Sequence, residues 1–367
     1  MSDTLNLETL TLRLRRFPDT QQSDLIAWDA ADELLMLNAL PDLKGQLLII
    51  NDHFGALGCA AARLDPIWVN DSFVAHQALK QNLDLNALPQ PGRCLADLQP
   101  FAEKVDQVWI KLPRNLRYLE YLLDWLNAHL AEGTQVVIAA RLKEMPTTLK
   151  EITEGYLDEI QPSRIRKKAR LLTGKTSGRR AQSPLLLKWQ AQGTDFQLEN
   201  HPNTFAGQKL DVAAHLMLQH IPTGHRRIID LGCGNGILSL AAAKANPDAQ
   251  ILAVDESWHG VTSCRANLAN NLPEAQFQVQ WNDCLTDQEP ESADLVLCNP
   301  PFHQQQAVTD HIAWQMFRDA KRTLATGGRL RVIGNRHLGY HIKLKRLFGK
   351  VETVAANAKF VILDAIK

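Results

Sequence analysis

Residues 226–236 read RRIIDLGCGNG, an apolar run that ends in an acid and passes into three glycines at alternate positions. Residues 237–244, ILSLAAAK, follow with helical composition. A strand that enters a glycine loop and then a helix is typical of the first unit of a doubly wound sheet. Apolar runs then alternate with helical segments up to a final hairpin at 352–356 and 359–365. This order predicts an α/β fold with a seven-stranded, mostly parallel sheet and a C-terminal antiparallel hairpin.

The composition is that of an ordinary globular protein. The chain has 367 residues with 40 Lys and Arg against 40 Asp and Glu, so its formal net charge is zero. This length favours two domains, and a hydrophobic content of 45% excludes a mainly disordered or fibrous protein. No apolar run of about 18 residues and no apolar signal-peptide core occur, so we expect a cytoplasmic protein. None of the six cysteines has C-x₂-C spacing, so we expect reduced thiols and no metal.

Polar residues end four predicted strands of this sheet: Asp230, Asp255, Asp283 and Asn299. Ligands of doubly wound sheets bind at the carboxyl ends of the strands, so these residues define the rim of a site. A carboxylate at Asp255 can accept both hydroxyls of a ribose, which indicates a nucleoside ligand. Asp283 is a candidate acceptor for the adenine amine, with a helix cap as the alternative.

The glycine loop completes the predicted cofactor site. Gly232, Gly234 and Gly236 allow positive φ and the close approach of a ligand to the backbone. Asn235, within the loop, and Glu256, at the end of the next strand, are assigned to the same site. An NAD-binding fingerprint needs G-x-G-x-x-G, and this loop is one residue short of that pattern.

The sequence Asn299-Pro300-Pro301-Phe302 predicts chemistry at a planar nitrogen. The lone pair of a conjugated amine is delocalised, so methylation requires acceptors for both N–H bonds. The Asn299 side-chain oxygen and the Pro300 carbonyl can supply them, and Phe302 offers a face on which a planar base can stack. Asn299 is also assigned to the cofactor site. A proline-rich loop that merely ends a strand is the alternative.

Together, DLGCGNG at 230–236 and NPPF at 299–302 resemble the class I S-adenosylmethionine-dependent methyltransferases that act on exocyclic or amide nitrogen. More narrowly, NPPFHQQQAVTD at 299–310 and GNRHL at 334–338 resemble the bacterial ribosomal RNA guanine-N2 methyltransferases. The resemblance extends over essentially the whole chain.

Stretches of the first half are similar to the large-subunit branch of that family: RRFP at 15–18, AWDAADE at 27–33 and NDHFGAL at 51–57. This resemblance implies S-adenosylmethionine as methyl donor and one guanine N2 of 23S ribosomal RNA as target, with protein-free RNA as the favoured substrate. Chemistry alone does not choose guanine N2 over adenine N6. A glutamine-N5 protein methyltransferase and a catalytically dead RNA-binding assembly factor are further alternatives.

The first half of the chain is also similar to the second and is interpreted as a degenerate internal repeat of it. Residues 48–57 match 229–238 at an offset of 181 residues, and the offset reaches 195 where Gly133 matches Gly328. A slow drift of the offset favours duplication with small loop insertions over chance similarity between two α/β units.

The first copy lacks the residues that the site needs. The residues Ile49, Asn51, His53 and Lys111-Leu112 stand at the positions of Asp230, Gly232, Gly234 and Asn299-Pro300. A lysine cannot accept a hydrogen bond from a target amine. We therefore predict two tandem Rossmann-like class I methyltransferase domains. Residues 1–178 form a degenerate copy for RNA docking and support, and residues 179–367 form the catalytic domain. Two fused copies favour a monomer.

A local basic run ends the first half. Eight Lys and Arg and no acid occur in residues 164–180. This composition suits contacts with RNA phosphates. The candidate RNA-binding residues are Arg164, Arg166, Lys167, Lys168 and Arg170. Solvated charges in an exposed linker are the alternative, and residues 168–172 also fit the last strand of the first domain.

Phe205 and His303 are two further candidates for contact with the target RNA. Phe205 lies in the segment that covers the cofactor and target base in similar enzymes, and a place in the hydrophobic core fits it equally well. His303 directly follows the NPPF sequence, and a structural role is its alternative.

Overall fold

The computed structural model describes residues 3–8, 10–18, 25–207, 209–301 and 306–367, without the side chains of 306–310. The chain divides into two compact units, Met1–Leu185 and Leu186–Lys367, each with its own seven-stranded sheet. In the ranges that are described, no helix has the length and apolar character needed to cross a membrane.

The first unit begins with a hairpin and continues with alternating helices and strands. Its elements are β1 (Thr4–Leu7), β2 (Leu10–Arg13), α1 (Ala30–Ala39), β3 (Gln46–Ile50), α2 (Ala56–Ala61), β4 (Ile67–Val69), α3 (Phe73–Leu85), β5 (Arg93–Leu95), β6 (Val105–Lys111), α4 (Leu116–His129), β7 (Gln135–Arg141), α5 (Leu149–Tyr156), β8 (Leu157–Pro162) and β9 (Ala169–Thr176). Short 3₁₀ helices lie at Ala62–Leu64 and Leu142–Glu144. The strand order is β5-β4-β3-β6-β7-β9-β8, and β9 is antiparallel to both of its neighbours.

The second unit repeats this plan. Its elements are β10 (Leu187–Gln190), β11 (Gln197–Asn200), α6 (Val212–Leu218), β12 (Arg227–Leu231), α7 (Ile237–Ala245), β13 (Gln250–Asp255), α8 (Trp258–Asn271), β14 (Gln276–Trp281), β15 (Ala293–Cys298), α9 (Gln306–Thr323), β16 (Leu324–Asn335), α10 (Tyr340–Phe348), β17 (Lys350–Ala356) and β18 (Phe360–Ile366), with a 3₁₀ helix at Arg336–Leu338. The order is β14-β13-β12-β15-β16-β18-β17, with β18 antiparallel to both neighbours. The predicted doubly wound fold with a C-terminal hairpin is confirmed.

The central strands of the second sheet are covered on both faces. Ile228 and Leu295 belong to one apolar cluster, and Ile229 and Val296 belong to the other. Alternate residues of a strand point to opposite faces, so a strand that is buried on both faces reads as a continuous apolar run. The carboxyl ends of these parallel strands open at one edge of the sheet, where the glycine loop and Asn299 follow.

The two sheets have the same strand order, and their registers identify equivalent residues. The pairing of β3 with β6 and of β12 with β15 places Lys111 and Asn299 at the same position, as the sequence predicts. One detail of the sequence comparison is wrong. The registers of β7 and β16 match Gly133 with Gly327 rather than Gly328, and both of these matched glycines have φ close to +80° (82° and 80°).

The amino-terminal hairpins are repeated as well, which the sequence comparison missed. On α8, Asn267 accepts the N–H of Glu199 (2.7 Å) and donates to its carbonyl (3.0 Å). On α3, Asn82 makes the same two bonds with Arg15 (2.8 and 2.9 Å). One helical turn further on, the same pairing joins Asn271 to Gln197 and Asn86 to Arg13. Each hairpin is therefore held on its helix by an asparagine ladder, and the repeated unit includes the hairpin.

Candidate active site

The three loop glycines have positive φ: 80° at Gly232, 51° at Gly234 and 81° at Gly236. A Cβ on Gly236 would lie 2.6 Å from the Sγ of Cys264, so this glycine is required for the loop to pack on α8. A Cβ on Gly234 would meet no atom within 4 Å. Gly234 therefore faces open space and is the position at which a ligand can approach the backbone.

Asp230 precedes the glycine loop and is buried, with only 1% of its surface exposed. It therefore does not lie on the open side of the loop. The hydroxyl of Ser239 on α7 donates to its Oδ2 (2.6 Å), and its Oδ1 has no partner among the described residues. Burial raises the pKa of Asp230 to about 6. A buried carboxylate oxygen without a partner fits a cationic group or a water molecule. Direct contact of Asp230 with a cofactor stays a prediction.

Asp255, at the end of β13, holds the glycine loop through its side chain. Its Oδ2 accepts the N–H of Gly234 (2.8 Å), and its Oδ1 accepts the N–H of Ser257 (2.9 Å) at the start of α8. Asp255 is half-buried, and a carboxylate is the kind of acceptor that ribose hydroxyls need. The neighbouring Glu256 is exposed. The predicted ribose contact is compatible with this geometry and remains a prediction.

Asn235 belongs to an internal network of amides. It is 7% exposed, and its Nδ2 donates to the Oδ1 of Asn200 (3.2 Å). The side chain of Asn200 in turn donates to the carbonyl of Gly207, and Asn267 donates to the carbonyl of Asn235 (2.9 Å). Its side chain is thus engaged with the protein, whereas the sequence assigns Asn235 to the cofactor. The match of Asn267 with Asn82 in the repeat was the available signal for this network.

Asp283 is buried, and its two carboxylate oxygens each accept from the amide of Gln315 on α9 (3.0 Å). No helix begins at Asp283, so a helix cap is not realised. Gln315 was not found from the sequence, because its partner is 32 residues away and on a different element. A contact of Asp283 with an adenine amine stays a prediction.

Asn299 follows β15 and is oriented by a carboxylate. Its Nδ2 donates to the Oδ2 of Asp211 (3.2 Å), the residue before α6. Its Oδ1 is buried and has no partner among the residues described. Pro300 is buried, whereas Phe302 and His303 lie outside the described residues. The site therefore holds one hydrogen-bond acceptor that no described residue uses.

Phe205 is 62% exposed, and so is Val212, which directly follows Asp211. This exposure excludes a core position for Phe205. An exposed apolar side chain before α6 and another in its first turn fit contact with a planar ligand. Contact of Phe205 with RNA remains a prediction.

An ion pair closes the equivalent edge of the first sheet. The Lys111 ammonium is 3% exposed and lies 2.9 Å from Asp29 and 2.7 Å from Asp32. Burial raises the pKa of Asp32 to about 6, although Lys111 opposes this shift. Asp29 begins α1 as Asp211 begins α6, so Lys111 and Asp29 are the counterparts of Asn299 and Asp211. The side chain at this position is therefore a donor, where Asn299 supplies an acceptor.

The first part of the basic run, residues 164–168, lies in the connection between β8 and β9. The rest of the run follows through β9 and beyond it. Lys167 and Lys168 have φ of 48° and 60°, and the backbones of Arg166 and Ala169 pair across them. Asn-Gly is the preferred sequence for two left-handed residues in a hairpin turn, and lysine is unfavourable in that conformation. The turn therefore carries two positive charges at positions where the backbone conformation favours other residues. Four of the candidate residues are exposed and the fifth is half-buried: Arg164, Arg166, Lys167, Lys168 and Arg170. Lys167 also contacts Glu33 (2.6 Å). Contact with RNA is untested.

No cluster of His, Cys, Asp or Glu in the described ranges is suited to hold a metal ion. The six cysteines are unpaired, and burial raises the pKa of Cys233 in the glycine loop. Cys233 therefore packs as a protonated thiol beside the loop.

Two sequence-family models match the chain: an RLMG N-terminal domain over residues 2–178 and a methyltransferase small domain over residues 195–364. A ribosomal RNA large subunit methyltransferase G of Magnetococcus marinus is 50% identical over 366 residues, which is 99% of each chain. The protein of the same name from Photobacterium profundum is 46% identical over the full length of both chains.

Among solved structures, a T. thermophilus 16S rRNA N2 methyltransferase, in complex with AdoMet and guanosine, aligns over 100% of both chains. Its TM-score is 0.76 and its sequence identity 19%, so the likeness concerns the fold. A full-length alignment at this TM-score supports the same two-unit architecture.

Proposed function

The chain belongs to the ribosomal RNA large subunit methyltransferase G family, and we propose that it methylates the exocyclic N2 of one guanine in 23S ribosomal RNA, with S-adenosylmethionine as methyl donor. The product is N2-methylguanosine. The observation that carries this proposal is the buried Oδ1 of Asn299 at the carboxyl edge of the sheet, which has no partner within the described part of the chain. An acceptor left unused at this edge suits the N–H of a planar amine.

The residues of the edge have distinct roles in this reaction. S-adenosylmethionine, when bound, supplies an electrophilic methyl group. Asn299 Oδ1 and the Pro300 carbonyl accept hydrogen bonds from the two N–H groups of guanine N2. These bonds hold the nitrogen for in-line attack. Phe302 stacks on the extruded base, because a base cannot react while it is paired and stacked in RNA. Positioning supplies most of the rate, because N2 becomes acidic only after it is methylated and its surplus proton can then pass to water.

The glycine loop fits a nucleoside cofactor. Among the described residues, none fills the space at the Cα of Gly234 and none is a partner for the Oδ1 of Asp230, which precedes the same loop. Asp255 offers a carboxylate of the kind that accepts ribose hydroxyls, Glu256 is exposed next to it, and Asp283 lies at the end of the adjacent strand. These features support S-adenosylmethionine as the ligand of the loop.

The first unit, in this proposal, has lost the reaction and docks RNA. The ion pair of Lys111 with Asp29 and Asp32 puts a donor at the position where Asn299 has an acceptor, and the left-handed Lys167-Lys168 turn presents positive charge. We assign residues 1–178 to RNA docking and support and 179–367 to catalysis. A monomer that acts on protein-free 23S rRNA in the cytoplasm completes the proposal.

The deciding experiment uses ribosomal RNA from a strain that lacks this protein. The purified enzyme is incubated with that RNA and radiolabelled S-adenosylmethionine, and the RNA is then digested to nucleosides. Label in N2-methylguanosine of the large-subunit RNA is expected. Label in N6-methyladenosine would contradict the target base, and label in added protein would favour glutamine methylation. Absence of both label and cofactor binding would indicate a catalytically dead assembly factor.

A further inference from the structure

We propose that Asp211 is a positioning residue that fixes the orientation of the Asn299 amide, so that the oxygen and not the nitrogen of this side chain faces the target amine. The inference rests on the proposed function and extends it by one residue. Its basis is the bond from Asn299 Nδ2 to Asp211 Oδ2, 3.2 Å long.

A terminal amide can point either way, and only one orientation serves the reaction. The oxygen end accepts an N–H bond of guanine N2, whereas the nitrogen end would place a donor against a donor. The two ends have nearly the same size, so shape alone does not select between them. An ionised carboxylate accepts hydrogen bonds only, and a carboxylate beside Asn299 therefore attracts its nitrogen end.

Asp211 is itself held in place. The N–H of Ala214, in the first turn of α6, donates to the same Oδ2 (3.1 Å). The same carboxylate oxygen thus caps the start of α6 and accepts a hydrogen bond from Asn299. With its nitrogen bound by Asp211, Asn299 keeps a buried Oδ1 that no described residue uses.

The first unit supplies an internal comparison. Asp29 begins α1 and contacts Lys111, at the position of Asn299, with a separation of 2.9 Å. The acid is therefore present at both edges, and its partner differs. Lys111 forms an ion pair with Asp29. Asn299 instead donates to Asp211 through its nitrogen and keeps its oxygen as an acceptor in a fixed position. This contrast indicates that the acid belongs to the common fold and that its partner decides whether an acceptor remains.

Asp211→Asn is the first test variant, because Asn begins helices as well as Asp does. The new amide can hold Asn299 in either orientation, and in one of them it donates to Oδ1 and occupies the acceptor. We expect kcat to fall about tenfold, with the KM for RNA, the Kd for S-adenosylmethionine and Tm close to wild type. Asp195→Asn is the control, because it removes the charge of a 72% exposed side chain that pairs with Lys244. The control should keep wild-type kcat.

Exchange of the two side chains is the sharper test. Asn299→Asp alone places two carboxylates together, and we expect at least about a 100-fold loss of kcat. In Asp211→Asn/Asn299→Asp, the amide donates to one oxygen of the new carboxylate and leaves the other as an acceptor. The double variant should be at least about tenfold more active than Asn299→Asp. Wild-type kcat in Asp211→Asn, or a double variant no better than Asn299→Asp, would overturn the inference.

A measurement without turnover separates this inference from the proposed function. With selective ¹⁵N-asparagine labelling, the side-chain amide of Asn299 is assigned by its loss in Asn299→Asp. Its protons should lie downfield in the wild type and shift upfield in Asp211→Asn, as a charge-assisted bond is lost. Unchanged resonances would overturn the positioning role. Failure of the wild type to label N2-methylguanosine would instead contradict the proposed function.

Discussion

Asn267 Nδ2 lies 2.9 Å from the carbonyl oxygen of Asn235, so one side chain of α8 contacts the glycine loop as well as the hairpin β10–β11. In the first unit, Asn82 Nδ2 lies 2.8 Å from the carbonyl of Phe54 in the same arrangement. The two side chains are equivalent in packing, and only one of them supports a loop with an open glycine. The repeat therefore provides a control for the cofactor site within one chain.

Asn267→Ala should weaken both folding and cofactor binding. The change removes a fully buried side chain with three hydrogen bonds, so we expect a loss of about 2–4 kcal/mol in the free energy of unfolding. The Kd for S-adenosylmethionine should rise at least about tenfold, as the loop loses its support. Denaturant unfolding and calorimetry measure the two effects. Asn82→Ala is the matched control. It should destabilise similarly and leave cofactor affinity unchanged, and an equal rise in Kd would argue against a local effect.

Asn299→Ala should abolish methyl transfer and leave the Kd for S-adenosylmethionine within a few-fold of wild type. The variant lacks the Oδ1 that has no partner among the described residues, while the glycine loop keeps its contacts. Single-turnover assays and calorimetry measure the two quantities. An equal loss of binding and turnover would show that Asn299 acts mainly through the cofactor.

Gly234→Ala should reduce cofactor affinity more than stability. The new methyl group would meet no protein atom within 4 Å but would occupy the open approach to the backbone. We expect a rise of at least about tenfold in Kd and a destabilisation of about 1 kcal/mol from the positive φ. Gly224→Ala has the same open surroundings at φ +80° and controls for backbone strain. If both variants bind S-adenosylmethionine equally well, Gly234 does not contact the cofactor.

Asp230 should make wild-type stability depend on pH. Its pKa in the folded protein is about 6, above the ordinary 3.8, so folding favours the protonated carboxyl. The resulting stability is fully present below about pH 3.8 and is lost as pH rises through about 6. The free energy of unfolding of wild type, minus that of Asp230→Asn, should therefore fall by up to about 3 kcal/mol between pH 4 and pH 7. A flat difference would contradict the raised pKa.

Lys167→Asn with Lys168→Gly should stabilise the β8–β9 turn and weaken RNA binding. Asn-Gly is the preferred sequence for two left-handed residues in a hairpin turn, and the change removes two charges. The RNA Kd should rise, and the slope of log K against log salt should fall by about 1.5. Lys104→Asn with Lys150→Asn, at side chains 80% and 82% exposed, controls for net charge. Equal loss in both variants would point to a diffuse field rather than the turn.

The sequence predicts the edge of the sheet better than the contacts at that edge. Strand ends meet at one side of a parallel sheet, so Asp255 and Asn299 could be assigned to a common site from apolar runs alone. Asp211 could not be paired with Asn299, because 88 residues separate them and the pairing depends on how α6 packs. The sequence comparison of the two halves was wrong by one residue at Gly327-Gly328. Either glycine satisfies a sequence match, and only the strand register distinguishes them.

The ion pair of Lys111 has an evolutionary consequence. A change of Lys111 to asparagine would leave the buried Asp32 and the half-buried Asp29 without their ammonium partner, and would cost about 3–5 kcal/mol. A typical domain has little more stability than that to lose. A single exchange at Lys111 would therefore use up a large part of the stability of the first unit. We expect Asp29 and Asp32 to have to change before an acceptor could be tolerated at this position.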